Sequence, residues 1–150
     1  MENKTKGEYA KELFESGYNC SQAVFGAFAE SLNIDFDTAV KLSSGFGGGF
    51  ARLREVCGAV SGMTLVMSLK YGYTDLDNHE EKKELYKKIR EVIEQFKEDN
   101  GSYICKELLG LSSPSSPEPT VRTNEFYKKR PCGEIVKSAA DTVDAFIKSH

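Results

Sequence analysis

The fold of this chain is decided by its most apolar stretch, residues 56–71, which reads VCGAVSGMTLVMSLKY. Apolar side chains occur on every side of a helix drawn through this stretch, a pattern typical of a helix buried at the centre of a domain. Gly58 and Gly62 lie four residues apart in it and predict close contact with a neighbouring helix. The stretch is shorter than the ~20 apolar residues that a membrane span needs. We therefore predict a central buried helix near residues 55–71 and no membrane insertion.

On both sides of this helix, apolar residues recur at intervals of three and four, and no run alternates strictly between apolar and polar. That periodicity is typical of amphipathic helices. Helix starts are predicted at Asn19, at Asp35 or Asp37, at Asp77 or Asn78, at Ser102 and at Pro131. The prediction is a compact all-α bundle of about six or seven helices, which forms a single domain over residues 1–150. A Ser/Pro-rich segment near residues 111–123 is predicted to be a mobile loop.

Composition and charge exclude several classes of function. The chain has 150 residues, of which 39% are hydrophobic and 29% are charged, an ordinary balance for one globular domain. Its formal net charge is -3 and its charges are interspersed, which argues against nucleic-acid and anionic-membrane partners. Residues 1–12 carry charges and no apolar run, so we expect no signal peptide and a cytoplasmic location.

The four cysteines all fall in or beside the first turn of a predicted helix. They are Cys20, Cys57, Cys105 and Cys132. A helix N-terminus presents unpaired N–H groups and about half a unit of positive charge, which favours the thiolate over the thiol. Each cysteine also precedes an apolar residue by three or four positions on its own helix. We therefore predict that all four side chains point inward and meet at one site.

Two chemistries suit four inward-pointing thiolates. The cysteines can act as dithiol and disulfide pairs, or all four can ligate one centre, either an iron–sulfur cluster or a tetrahedral zinc ion. No CxxC pair is present, so neither a zinc knuckle nor a thioredoxin-type motif helps to choose. In a third interpretation the cysteines only fill the core as small apolar side chains. The residues alone leave all three interpretations open.

A glycine-rich segment, GFGGG at residues 45–49, precedes Cys57. It lacks the GxGxxG spacing and no predicted strand precedes it, so nucleotide binding is not predicted. Glycines would let the backbone approach Cys57 and a bound group closely. Arg52 and Arg54 could stabilise a thiolate or bind an anionic substrate. The candidate cofactor-binding residues are Gly47, Gly48, Gly49 and Arg52.

The sequence CGAVSG at residues 57–62 resembles the motif of the C_GCAxxG_C_C family, which is named for four spaced cysteines. Residues 45–49, 69–72 and 105–110 and the last helix are also similar to the family, so the resemblance covers almost the whole chain. It implies a small helical bacterial or archaeal protein with a redox role. The family's defining residues would be Cys20, Cys57, Cys105 and Cys132.

The resemblance also bears on the cofactor. A related domain of a multihaem cytochrome has a similar cysteine arrangement and is thought to hold a 2Fe–2S cluster. This chain has no CxxCH and so resembles only the part that holds no haem. The resemblance therefore favours an iron–sulfur cluster over zinc as the cofactor, if the four cysteines bind a metal.

We therefore expect a redox-active protein that uses its four cysteines for thiol/disulfide exchange or as iron–sulfur ligands in electron transfer. Either chemistry would suit an oxidoreductase. The alternative is a zinc-stabilised helical binding or scaffold module without redox turnover. The expected partners are an unidentified redox partner and a second copy of the chain, because glycine-rich loops and apolar helices offer surfaces for a homodimer. All of this depends on proximity of the four sulfur atoms.

Overall fold

The computed structural model describes residues 4–111, 115–118 and 131–150. These residues form seven α-helices and no β-strand, so the all-α prediction is confirmed. The helices are α1 (Lys6–Glu15), α2 (Cys20–Ala27), α3 (Phe36–Ser43), α4 (Gly58–Tyr71), α5 (His79–Asn100), α6 (Cys105–Leu109) and α7 (Cys132–Ser149), with a 3₁₀ turn at Ser44–Phe46.

Polar caps begin most helices where the sequence predicts them. The side chain of Asn19 accepts a hydrogen bond from the Gln22 N–H at 2.9 Å, and the side chain of Gln22 accepts one from the Asn19 N–H at 3.0 Å. This reciprocal pair satisfies two of the donors that a helix N-terminus leaves open. Asp35 caps α3 by accepting from the Thr38 N–H at 3.0 Å, and Asn78 caps α5 by accepting from the Glu81 N–H at 3.0 Å.

Two predicted starts are wrong by a few residues. Ser102 does not cap α6, because its Oγ accepts from the Ile104 N–H at 3.0 Å and donates to Glu107 at 2.7 Å, and the helix begins at Cys105. The central helix begins at Gly58 and not near residue 55. Residues before it are extended, since Val56 forms an isolated antiparallel bridge with Ile104.

The helix α4 lies at the centre, as its composition predicts, and its first ten residues are almost all buried. A Cβ added to Gly62 would lie 2.8 Å from the Cβ of Val24 on α2, closer than real Cβ atoms approach. The predicted close contact at Gly62 is therefore confirmed. No helix within the described ranges, α4 included, is long and apolar enough to cross a membrane.

The last helix packs on the first. Its stripe includes Val136, Ala140 and Val143, none of which has any exposed surface. Asp141 accepts a hydrogen bond from the backbone N–H of Gly7 at 2.9 Å and so satisfies a donor at the start of α1. Because α1 and α7 lie side by side, the beginning of α7 is held next to the end of α1.

Candidate functional site

The four cysteines converge on one pocket. Cys20, Cys105 and Cys132 are the first residues of α2, α6 and α7, and Cys57 is the N-cap of α4. All four line a pocket of about 660 Å³. Cys57 and Cys105 are buried, whereas Cys20 and Cys132 are partly exposed, and no disulfide joins any of the four, all of which lie in the described ranges. Helix starts far apart in sequence therefore bring their sulfur atoms to one place.

The isolated bridge between Val56 and Ile104 brings Cys57 and Cys105 to the pocket together. The N–H of Cys57 donates to the carbonyl of Tyr103 at 2.9 Å, and the N–H of Cys105 donates to the carbonyl of Glu55 at 2.6 Å. Each cysteine then begins or caps its helix directly after this pairing. The starts of α4 and α6 are thus fixed to each other by backbone hydrogen bonds.

Glycines allow the remaining close approaches. A Cβ on Gly58 would lie 3.3 Å from the Cβ of Cys20 and 3.1 Å from the carbonyl oxygen of Phe46. A Cβ on Gly49 would lie 2.8 Å from the Cβ of Cys105. Gly58, the first glycine of the CGAxxG motif, therefore lets α4 pack against Cys20, and Gly49 packs against Cys105.

The segment between the 3₁₀ turn and the bridge has an uncommon backbone. Five consecutive residues, Gly48 to Arg52, have φ values of 69°, 72°, 66°, 49° and 68°, all in the left-handed region. For residues with a side chain this conformation costs about 1–2 kcal/mol each. The turn is closed by hydrogen bonds from the N–H of Arg54 to the carbonyl of Gly48 and from the N–H of Glu55 to the carbonyl of Gly49, both at 3.0 Å.

This turn directs two arginines to the pocket. Arg54 is 4% exposed, and its guanidinium donates to the Cys105 Sγ at 3.6 Å and to the Ser115 Oγ at 2.9 Å. Arg52 is half-buried and donates from Nε to the Ser116 carbonyl at 2.7 Å. Both arginines line the pocket. Arg52 is one of the predicted cofactor-binding residues, and Arg54, which is not among them, donates to a cysteine sulfur.

The other candidate residues have different positions. Gly47 and Gly48 line the pocket beside Arg52, whereas Gly49 packs behind Cys105. Their proposed role in holding a cofactor stays a prediction.

Cys20 and Cys132 are hydrogen-bond partners, and this affects the ionisation of Cys20. A hydrogen bond with the side chain of Cys132, followed by burial, raises the pKa of the Cys20 thiol well above its ordinary value of 9.0. A hydrogen bond raises the pKa of a thiol when the thiol is its donor, because the protonated form is then stabilised. The hydrogen bond with Cys132 and the burial of Cys20 therefore both favour the protonated form of Cys20.

Cys57 is also hard to ionise. Burial raises the pKa of its thiol from 9.0 to about 12, although the backbone N–H groups of Ala59 and Val60 donate to its sulfur and oppose this effect. The expectation that a helix start favours the thiolate is therefore wrong for Cys57, because desolvation outweighs the N–H groups of the first turn. The same expectation is wrong for Cys20, because the hydrogen bond with Cys132 and burial raise the pKa of its thiol.

We tested the site for its fit to a metal centre. Four cysteine sulfurs are the donor type that zinc and iron–sulfur clusters take. In the described part of the chain, however, no three or more His, Cys, Asp or Glu side chains are grouped closely enough to hold a metal ion. The type of donor atom therefore fits a metal centre, whereas the arrangement of the side chains does not.

Sequence reasoning missed one part of the site. The described residues 115–118 of the Ser/Pro-rich segment lie against the arginines, where the N–H of Ser115 donates to the Arg52 carbonyl at 3.0 Å and Pro117 lines the pocket. Ser115 and Ser116 are therefore hydrogen-bonded to Arg52 and Arg54. The rest of the predicted mobile loop, residues 112–114 and 119–123, lies outside the described residues. No motif in a Ser/Pro-rich stretch predicts such contacts.

The fold and the site together define a class: a helical protein with four cysteines at helix starts around one pocket. The chain belongs to the family described as "Putative redox-active protein (C_GCAxxG_C_C)", whose model matches residues 18–146. Over 147 residues it is 29% identical to an uncharacterized protein of Archaeoglobus fulgidus, and the alignment covers 91% of this chain and 89% of that relative. No solved structure matches the chain. The family resemblance seen in the sequence is confirmed.

Proposed function

We propose that the protein is a dithiol–disulfide redox protein whose reacting pair is Cys20 and Cys132. The observation that carries this proposal is that Cys20 and Cys132 line the same pocket at the starts of two helices, where a hydrogen bond between their side chains is the largest cause of the raised pKa of Cys20. Both residues are partly exposed at the pocket, so a substrate can reach them.

The raised pKa of Cys20 assigns the two roles. Cys20 holds its proton more tightly than an ordinary thiol, so we assign Cys132 as the sulfur that reacts first, as the thiolate. The thiolate is the nucleophile in thiol–disulfide exchange. Cys132 therefore attacks first, and Cys20 gives up its proton in the second step to displace the group bound to Cys132.

The two buried cysteines have a different part in the proposal. Cys57 holds its proton strongly and is 5% exposed, which disfavours direct attack on a substrate. Cys105 is 6% exposed and has its sulfur against Arg54. A guanidinium favours a thiolate at that sulfur, and Cys105 would then serve as a second thiol that exchanges with the Cys20–Cys132 disulfide from inside.

The experiment oxidises the fully reduced protein in redox buffers of increasing potential and locates disulfides by peptide mass spectrometry. We expect a Cys20–Cys132 disulfide to form reversibly as the first oxidised species. The C20S and C132S variants should lose this two-electron transition, and the matched C57S variant should keep it. The proposal is wrong if the first disulfide joins another pair or if no pair oxidises reversibly.

The C20S variant also tests the assigned roles. With the second thiol removed, a disulfide reagent should leave a mixed disulfide that stays on Cys132. The C132S variant should react more slowly at Cys20, because burial still raises the pKa of the Cys20 thiol and lowers the fraction present as thiolate. Faster reaction at Cys20 in C132S than at Cys132 in C20S would reverse the assignment.

Protein prepared without air distinguishes the metal alternatives. Iron with acid-labile sulfide at a fixed ratio to the protein would support a cluster, and stoichiometric zinc would support the binding module. Either result, together with protection of all four cysteines from alkylation, would overturn the proposal of a free dithiol pair.

A further inference from the structure

The cysteine pocket carries an excess of positive charge on its described lining. Three charged residues line it, namely Arg52, Arg54 and Glu15. Arg54 is almost completely buried and Arg52 is half-buried, whereas Glu15 is exposed to solvent. Charges with little access to water are screened less than exposed ones. On the described lining, the two arginines therefore outweigh Glu15, although the formal charge of the whole chain is -3.

The two arginines are fixed in place. Hydrogen bonds to Ser115 and Ser116 hold their side chains, and the left-handed turn holds their backbone. A fixed guanidinium binds carboxylates without a large loss of side-chain entropy. The pocket of about 660 Å³ falls within the ~300–1,000 Å³ typical of small-molecule sites.

We infer that the substrate is a small disulfide that carries carboxylate groups, bound with its negative charge toward Arg52 and Arg54. This inference rests on the proposed function of the Cys20–Cys132 pair. The inference adds the chemical class of the oxidant. It also assigns the arginine turn, the left-handed turn that directs Arg52 and Arg54 to the pocket, as the part of the site that selects this oxidant. Without the arginines, a thiolate site would repel an anionic disulfide and favour a cationic one.

The reaction balances as a two-electron exchange. The thiolate of Cys132 attacks one sulfur of the substrate disulfide, forming a Cys132–substrate disulfide and releasing the first substrate half as a thiolate. Cys20 then loses its proton and attacks the Cys132 sulfur, which releases the second half. The two protein sulfurs are oxidised to one disulfide and the substrate disulfide is reduced to two halves. The proton of Cys20 passes to one released thiolate, and water protonates the other according to the pH.

The test compares three small disulfides that differ mainly in charge: dithiodipropionate, hydroxyethyl disulfide and cystamine. Each is added to the reduced protein, and formation of the Cys20–Cys132 disulfide is followed by quenching with an alkylating agent and mass spectrometry. Every rate is divided by the rate of the same reagent with the urea-unfolded chain, which removes differences in intrinsic reactivity. We expect the normalised rate to be about tenfold higher for dithiodipropionate than for cystamine.

Two variants at Arg52 test whether the preference for the anionic disulfide depends on the left-handed turn. R52Q should reduce it severalfold, and R52K, which keeps the positive charge, should retain most of it. K83Q is the matched control, because it removes one positive charge from an exposed position on α5 that does not line the pocket. The preference should also weaken as salt is added.

The outcomes separate the inference from the proposed function. Equal normalised rates for the three reagents, or a preference that R52Q leaves unchanged, would overturn the anionic substrate while the dithiol pair stands. Failure of every reagent, including neutral hydroxyethyl disulfide, to form the Cys20–Cys132 disulfide would overturn the proposed function itself.

Discussion

The Nη1 atom of Arg54 lies 3.6 Å from the Sγ atom of Cys105, and both side chains are buried. Burial of a charge is costly unless nearby groups compensate it. A sulfur atom beside the guanidinium supplies that compensation when it is ionised, and the Ser115 hydroxyl accepts a second hydrogen bond from the same group. The reactivity of Cys105 and the stability of the arginine turn are therefore coupled.

We predict that R54Q lowers the free energy of unfolding by about 1.5–3 kcal/mol, the usual contribution of a hydrogen bond to a charged group. R52Q should cost less, because Arg52 is only half-buried. Equilibrium urea unfolding under reducing conditions measures both values. A larger loss for R52Q than for R54Q would contradict this ranking.

The R54Q substitution should also slow the alkylation of Cys105. Removal of the guanidinium takes away the charge that favours its thiolate, and we expect about a tenfold lower rate with iodoacetamide at neutral pH. Cys57 in the same sample is the internal control, since its rate reports any general opening of the pocket. If Cys105 and Cys57 change by the same factor, Arg54 does not act on Cys105 through its charge.

Gly49 should tolerate no side chain. A Cβ there would be 2.8 Å from the Cβ of Cys105 and 2.7 Å from the nitrogen of Glu55, in addition to the strain of a φ of +72°. Gly110 is the matched control, because its φ is +69° and nothing lies within 4 Å of an added Cβ. G110A should cost about 1 kcal/mol from backbone strain alone. G49A should cost roughly 1–3 kcal/mol more, since overpacking adds to the strain.

Thermal and urea unfolding of the two glycine variants measure this difference. Equal losses in G49A and G110A would show that the turn can move away from Cys105 without cost.

Two fully buried serines should respond in opposite ways to removal of their hydroxyl groups. Ser43 donates from its Oγ to the Ala39 carbonyl at 2.8 Å, whereas the Oγ of Ser21 has no partner within the described ranges. S43A should lower the free energy of unfolding by about 1 kcal/mol, and S21A should leave it unchanged or raise it. A loss in S21A as large as that in S43A would indicate a partner for Ser21 in solution.

The reduced protein should lose stability in alkaline solution. The pKa of Cys57 rises from 9.0 in the unfolded chain to about 12 in the folded protein, so the folded state holds its proton more tightly. The resulting stability is fully present below pH 9 and is lost as the pH rises toward 12. From pH 7 to pH 10 the loss due to Cys57 is about 1.4 kcal/mol, and Cys20 adds to it in the same direction.

Urea unfolding of the wild type and of C57S at the two pH values isolates this effect, because all other titrating groups are common to both proteins. C57S should lose about 1.4 kcal/mol less over this interval. An identical loss in the two proteins would mean that Cys57 ionises normally when folded.

Local signals predicted much of the architecture. The capping box at Asn19, the caps at Asp35 and Asn78 and the apolar stretch around Val60 follow short-range rules, and the structure confirms each of them. The placement of all four cysteines at helix starts came from the same rules. The cytoplasmic location and the homodimer stay predictions.

The unpredicted parts of the site depend on tertiary contacts. Nothing local in the sequence distinguishes Arg54 from Arg52, and the contact between Arg54 and Cys105 is made only in the folded chain. The pKa of Cys57 was predicted in the wrong direction because the helix N-terminus is visible in the sequence and the depth of burial is not. The contacts of Ser115 and Ser116 likewise appear only when the chain is folded.

The left-handed turn at residues 48–52 has a consequence for the dynamics of the molecule. Phe50, Ala51 and Arg52 occupy conformations that favour glycine, so this segment is expected to unfold locally before any helix of the bundle does. Such an opening would carry both arginines away from the cysteines at once. A macromolecular redox partner, too large for the closed pocket, would then reach the buried Cys105 at a rate set by the opening of this turn.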